Sequence, residues 1–139
     1  MQLMNSLFVD TNVFLYALDQ NSKFHDLSRR ILESPNNNLF TASKNLSELF
    51  AVTTKYKFDH TIVNRFYFEM KKNITILFAN FKSLSIFELL LEKYKPIGNR
   101  VFDIELVSIM LLNNINRIAT LNHKDFEHID EVSIIHSVE

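Results

Sequence analysis

Short apolar runs alternate with stretches in which hydrophobic residues recur every three or four positions, and the alternation continues from Leu7 to Ile135. Leu7 to Val9 is a strand-like run closed by Asp10, and Val13 to Leu18 continues with helical spacing. Phe24, Leu27, Ile31 and Leu32 form a second helical stripe behind Ser22, a favourable N-cap, and Ser34-Pro35-Asn36-Asn37-Asn38 ends it. Leu39 to Ala42 predicts a short strand. Leu46, Leu49, Phe50, Thr53 and Tyr56 then share one helical face, opened by Asn45 and Glu48 at capping-box spacing. Thr61 to Lys72 predicts a helix dense in aromatics at Phe66, Tyr67 and Phe68, and Ile74 to Ala79 is the most strand-like run of the chain. A helix capped by Ser85 and Glu88 runs to Lys95 and stops before Pro96. Ile104, Val107, Ser108, Leu111 and Ile115 give the last helical stripe, followed by strands at Arg117 to Leu121 and Val132 to Ile135. Strands alternating with helices predict an α/β fold in which a mostly parallel sheet is covered on both faces.

Composition narrows the functional classes. With 139 residues, 47% of them hydrophobic, the chain suits one domain with one core spanning residues 1–139. The absence of Cys excludes a disulfide framework, a thiolate metal site and a cysteine nucleophile, so any metal must be held by oxygen or imidazole. Apolar runs such as Ser85 to Leu91 are too short to span a membrane, and the N-terminus lacks the pattern of a signal peptide, so a cytoplasmic protein is expected. A single Gly argues against a Gly-rich phosphate loop, and with it against nucleotide binding of the Walker or Rossmann kind. Fifteen basic and sixteen acidic residues nearly cancel, but clustered acids at a metal site would mask a basic rim elsewhere. Thirteen Phe is a large aromatic load for this size, which favours an oligomer or a protein partner.

The candidate chemistry lies in acidic and amide residues where strands end or helices begin: Asp10, Glu48, Asp103, and Asn122 with Asp125. Each has a purely structural account. Asp10 suits a helix N-cap, Glu48 lies opposite its apolar stripe, Asp103 in a first helical turn is favoured by the helix dipole, and Asp125 suits a short turn. Together they converge on the carboxyl edge of a parallel sheet, where ligands bind. Converging carboxylates repel unless a hard cation neutralises them, and Mg²⁺ or Mn²⁺ suits oxygen ligands. The pattern therefore reads as a metal-dependent phosphodiester enzyme.

The strand-borne Asp10-Thr11-Asn12, the helical Asn45-Leu46-Ser47-Glu48-Leu49, Val101-Phe102-Asp103 opening a late helix, and Ile118-Ala119-Thr120-Leu121-Asn122-His123-Lys124-Asp125-Phe126 resemble the PIN-domain ribonucleases in order and spacing. The length also resembles the toxin component of VapBC toxin-antitoxin pairs. The resemblance spans nearly the whole chain and implies a PIN-like three-layer α/β/α fold and a metal-dependent endoribonuclease. Asp10, Glu48 and Asp103 match the family's acidic ligands, and the fourth acidic position falls on Asn122 or Asp125. Thr120 and Asn12 would orient a ligand or water at the same edge, an assignment that ordinary β-propensity equally explains for Thr120. Lys44, Lys55, Lys57, Arg65, Arg100, Lys124 and His123 are candidate contacts for the RNA backbone. Val107, Ser108 and Asn114 depart from the family, which carries small Ala residues and a Gly there. The resemblance further implies a homodimer and an antitoxin that blocks the cleft, and the Phe66, Tyr67, Phe68 cluster is a candidate docking surface.

Three other readings compete. A haloacid-dehalogenase-type, Mg-dependent phosphatase needs a second Asp where Asn12 stands, and a receiver domain needs an acidic pair near its start. A non-catalytic module of the same fold, binding RNA or protein, would have lost metal binding.

Overall fold

The structure, a computed structural model, describes residues 5–135. Residues 1–4, part of the N-terminus read above, and residues 136–139 lie outside the described residues. Strands β1 (Ser6–Val9), β2 (Asn38–Ala42), β3 (Ile74–Leu77), β4 (Arg117–Ala119) and β5 (Ser133–Ile135) form one sheet in the order β3-β2-β1-β4-β5. Every pairing is parallel, so the expectation of a mostly parallel sheet becomes an entirely parallel one among the described residues. Helices α1 (Thr11–Leu18), α2 (His25–Glu33), α3 (Ser43–Lys55), α4 (His60–Lys71), α5 (Phe81–Tyr94) and α6 (Arg100–Leu112) connect the strands, with a short 3-10 turn at His123–Asp125.

The three-layer arrangement follows from alternation along β1. Leu7 and Val9 point to one side, into a core with Val13, Phe14, Ile31, Leu46, Leu49 and Met70 from α1 to α4. Phe8 points to the other, against Leu90, Ile104, Val107, Ile109 and Met110 from α5 and α6. Strands buried on both faces need no polar alternation, and all of β1 is buried. Each fully buried large side chain contributes roughly 1.5–3 kcal/mol. The strand is therefore a rigid stem for the residue that follows it, Asp10.

Several boundaries differ from the pattern-based expectation. α5 starts at Phe81 rather than near Ser85, because Asn80 and Ser83 form a reciprocal cap: Ser83 N donates to Asn80 Oδ1 at 2.9 Å and Asn80 N to Ser83 Oγ at 2.8 Å. α3 starts at Ser43, so Asn45 sits in its first turn, where its Oδ1 accepts from Ala42 N, and Glu48 takes no part in the cap. β3 and β4 are shorter than the apolar runs that announced them, which leaves Thr120 just beyond its strand.

Asn114, where the family pattern carries Gly, adopts a left-handed conformation with φ of 59°. Ile115 N donates to Met110 O and Asn114 N to Leu111 O, a Schellman closure of α6 that needs this conformation. Asn tolerates it better than most residues, which accounts for the replacement. α3 ends in the same way, with Lys57 at φ of 58°. The aromatic cluster on α4 divides: Phe66 packs edge-on against Phe14, Tyr67 against Phe50, and Phe68 is exposed.

Candidate functional site

β1 is flanked by β2, which continues the chain order in one direction, and by β4, which continues it in the other. Open parallel sheets bind ligands at such a switch point, outside the carboxyl ends of the strands. Asp10 follows β1 and Thr120 follows β4 at this point, tied by Asp10 N donating to Ala119 O at 3.0 Å. A cleft of about 360 Å³ opens there, lined by Asp10, Asn12, Lys44, Asn45, Glu48, Phe102, Asp103, Asn122 and Asp125 among others.

Asp10 is the buried floor of the cleft. Its Oδ1 caps α1 by accepting from Thr11 N at 2.8 Å, and also accepts from Asn45 Nδ2 at 3.4 Å. Its Oδ2 accepts from Thr120 Oγ1 at 2.9 Å and from Asn12 Nδ2 at 3.2 Å. The Thr120 hydroxyl is fully used, because it also accepts from Asn12 Nδ2 and Asn122 N, both at 3.1 Å. Asn12 Oδ1 accepts from Leu121 N at 3.0 Å, completing a clasp between the ends of β1 and β4. The structure therefore brings Asn12 and Thr120 to Asp10. Asp10 caps α1, and the same carboxylate lines the cleft.

Asn45 is the residue that the sequence reading missed. Its cap-like spacing concealed a buried amide that spans three groups: it donates to Asp10 and, at 2.9 Å, to Thr11 Oγ1, while accepting from Ala42. The signal lay in its position three residues past a strand end, the same locale as Asn12 after β1.

Glu48 on α3 is exposed at the rim, Asp103 lies in the first turn of α6, Asn122 precedes the 3-10 turn and Asp125 is its last residue. All of them line the cleft. Asp10 is pushed above its ordinary carboxyl range first by burial, against the hydrogen bonds from Thr120 and Thr11, and then further by the charges of Glu48 and Asp125. Burial also raises Asp103, to about 7, with Asp125, Asp10 and Glu48 adding to the rise and Arg100 opposing it. The four carboxylates therefore share one electrostatic neighbourhood. Among the described residues no three Asp, Glu or His side chains already stand in a metal-holding arrangement.

Cations are few at the cleft. Lys44 lines it, paired with Glu105 and lying over the Phe102 ring at 5.1 Å. Arg100 donates to Lys124 O at 2.9 Å and so fixes the segment that carries Asp125. Lys55, Lys57 and Arg65 do not line the cleft, and Arg65 faces a separate groove beside α2 and α4.

A doubly wound α/β/α domain whose switch-point cleft gathers carboxylates from several separate elements is the class that fold and site define together. The chain belongs to the PIN domain family, whose model matches residues 7–132. Solved structures agree on the fold. VapBC2 from Rickettsia felis, bound to a DNA fragment from its promoter, is 21% identical with a TM-score of 0.72, covering 94% of this chain and 97% of that one. A toxin-antitoxin complex from Klebsiella pneumoniae is 20% identical with a TM-score of 0.69, over 96% and 99%. VapC20 from Mycobacterium tuberculosis, a toxin that cleaves the Sarcin-Ricin loop, is 14% identical with a TM-score of 0.64, over 81% and 86%. No curated protein sequence matches the chain significantly. No helix among the described residues is long and apolar enough to cross a membrane.

Proposed function

We propose that the chain is a divalent-metal-dependent endoribonuclease, the toxin of a VapBC-type toxin-antitoxin pair. The observation that carries this reading is the convergence of Asp10, Glu48, Asp103 and Asp125 on one cleft at the switch point of the sheet. Asp125 is our choice over Asn122 for the fourth position, because it is a carboxylate whose charge acts on both Asp10 and Asp103.

The donor set fits a hard cation in charge and in kind. All four groups are oxygen donors, and two of them are held above their ordinary pKa by burial and by each other, a cost that a divalent ion removes. Asp10, Glu48, Asp103 and Asp125 would hold Mg²⁺ or Mn²⁺. When bound, the ion polarises phosphoryl oxygens and makes water a stronger acid. The protein's own contribution is orientation. Thr120, Asn12, Asn45 and the Thr11 amide fix both oxygens of Asp10 before substrate arrives, so that little reorganisation is needed during reaction.

The relatives that are themselves toxin-antitoxin complexes support a cognate antitoxin as partner, and a homodimer acting on RNA in the cytoplasm completes the proposed reading. Cleavage of a panel of structured RNAs with Mg²⁺, with Mn²⁺ and with excess chelator, comparing wild type with Asp10→Asn, tests the activity. Metal-dependent cutting that Asp10→Asn abolishes is the expected result. Failure of the wild type both to cut RNA and to bind Mn²⁺ in calorimetry would leave a non-catalytic PIN module instead. A short neighbouring reading frame whose product co-purifies with the chain is the expected antitoxin.

A further inference from the structure

α6 buries Ile104 and the whole run from Leu106 to Met110, yet two residues before this buried face Phe102 leaves 56% of its surface in solvent. A single exposed aromatic is unremarkable by itself. The position of Phe102 is what matters: its ring forms part of the cleft wall, immediately before Asp103. The Lys44 ammonium, from the first turn of α3, lies 5.1 Å from the ring centroid and pairs with Glu105, one turn further along α6. An exposed aromatic ring and a tethered cation lying over it thus stand together at the mouth of an acidic cleft, bridging α3 and α6.

We propose that Phe102 and Lys44 form a subsite for one unpaired nucleotide of the RNA, the ring stacking on its base and the ammonium contacting its phosphate. The inference rests on the ribonuclease reading and adds to it where the strand is gripped. Every base has a π-face, and aromatic side chains that stack on splayed bases are how proteins hold single-stranded RNA. A carboxylate-lined cleft repels the phosphate backbone, so a cation at its rim is needed beside the acids, and Lys44 is the lysine that lines it. The cleft's volume, about 360 Å³, is near the lower end of the roughly 300–1,000 Å³ typical of ligand sites, which suits a nucleotide rather than a duplex. Glu105 holds Lys44 in place until a phosphate competes for it.

The test uses the full chain and short single-stranded RNAs in which a fluorescent adenine analogue is moved along the sequence. Binding is read in chelator by quenching and by anisotropy, and cleavage separately with Mg²⁺ and Mn²⁺. Wild type is expected to quench the analogue at one register. Phe102→Ala should lose the quench and weaken binding by about 5- to 150-fold, the range that one base–aromatic stack supports. Phe102→Tyr should restore both, and Lys44→Ala should lower the salt dependence by about 0.7 in the log–log slope, one phosphate's share. Metal-dependent cutting by wild type with unchanged binding and quenching in Phe102→Ala would overturn the subsite, leave the nuclease standing and assign the exposed ring to a protein contact. A Phe102-dependent quench from a protein that neither cuts RNA nor binds Mn²⁺ would uphold the subsite and sink the nuclease reading. A wild type that binds none of these RNAs would also overturn the subsite.

Discussion

Replacing Asp103 by Asn should make the metal-free protein more stable at neutral pH and leave it unchanged in acid. The carboxyl titrates at 3.8 in its unperturbed state and near 7 in the fold, raised first by burial and then by Asp125 and Asp10. The folded protein thus binds this proton more tightly than the unfolded chain does. Stability is undiminished below the unfolded value, falls as pH rises from about 4 to about 7, and is lowest above that window. At about 1.4 kcal/mol for each tenfold change in proton affinity, the upper bound is roughly 4 kcal/mol. Asp103 is only half-buried, and solvent screening reduces this to about 1–2 kcal/mol. Urea unfolding of wild type and Asp103→Asn in chelator, at closely spaced pH between acid and pH 8, reads the difference directly, provided the two share one m-value. The gap should open with rising pH and level off past neutrality. Adding Mg²⁺ should reverse it, because an ion bound only by the folded wild type adds about 2.7 kcal/mol at a hundred times its dissociation constant. A pH-independent gap, or a variant less stable than wild type throughout, would refute the idea that mutual repulsion and burial strain the metal-free cleft.

Thr120→Val keeps the shape of the buried side chain but deletes the hydroxyl that serves Asp10, Asn12 and Asn122 N. It should cost about 1–3 kcal/mol of stability in denaturant unfolding and reduce RNA cleavage without abolishing metal binding in calorimetry. Lys57→Gly removes a side chain from a left-handed residue that closes α3 and should raise stability by about 1 kcal/mol, read as an upward shift of the thermal midpoint with cleavage unchanged. A lowered midpoint would mean that the Lys57 side chain makes a contact outweighing its backbone strain.

The sequence made the fold legible wherever a signal was local. β1 and α1 were readable because an apolar run ends in Asp10, and a strand-end Asp is also a good N-cap; the structure uses it as one. The starts of α3 and α5 were misplaced for an equally local reason. Several overlapping cap spacings exist in Ala42 to Glu48 and in Asn80 to Glu88, and hydrogen bonding selects the earlier one in each. Caps choose among near-equal alternatives by how the preceding strand exits the sheet, which a short window of sequence does not contain.

The site divides along the same line. Of the groups that orient Asp10, Thr11 and Asn12 are its immediate neighbours in sequence, while Asn45 and Thr120 are 35 and 110 positions away. The nearby pair could be read from one motif; the distant pair is brought in by the pairing of β1 with β2 on one side and β4 on the other. Periodicity placed Glu48 on a polar face, and it is exposed, yet that face looks into the cleft because α3 follows the strand next to β1. A polar position and a cleft-lining position are therefore not alternatives here. At the carboxyl edge of a parallel sheet the solvated face of a helix is the wall of the cleft, so residues that amphipathicity assigns to solvent are the ones available to a metal and a nucleic acid. Lys44, Glu48 and Phe102 all meet that description, which is why a family pattern located Glu48 while single-residue statistics passed over Phe102.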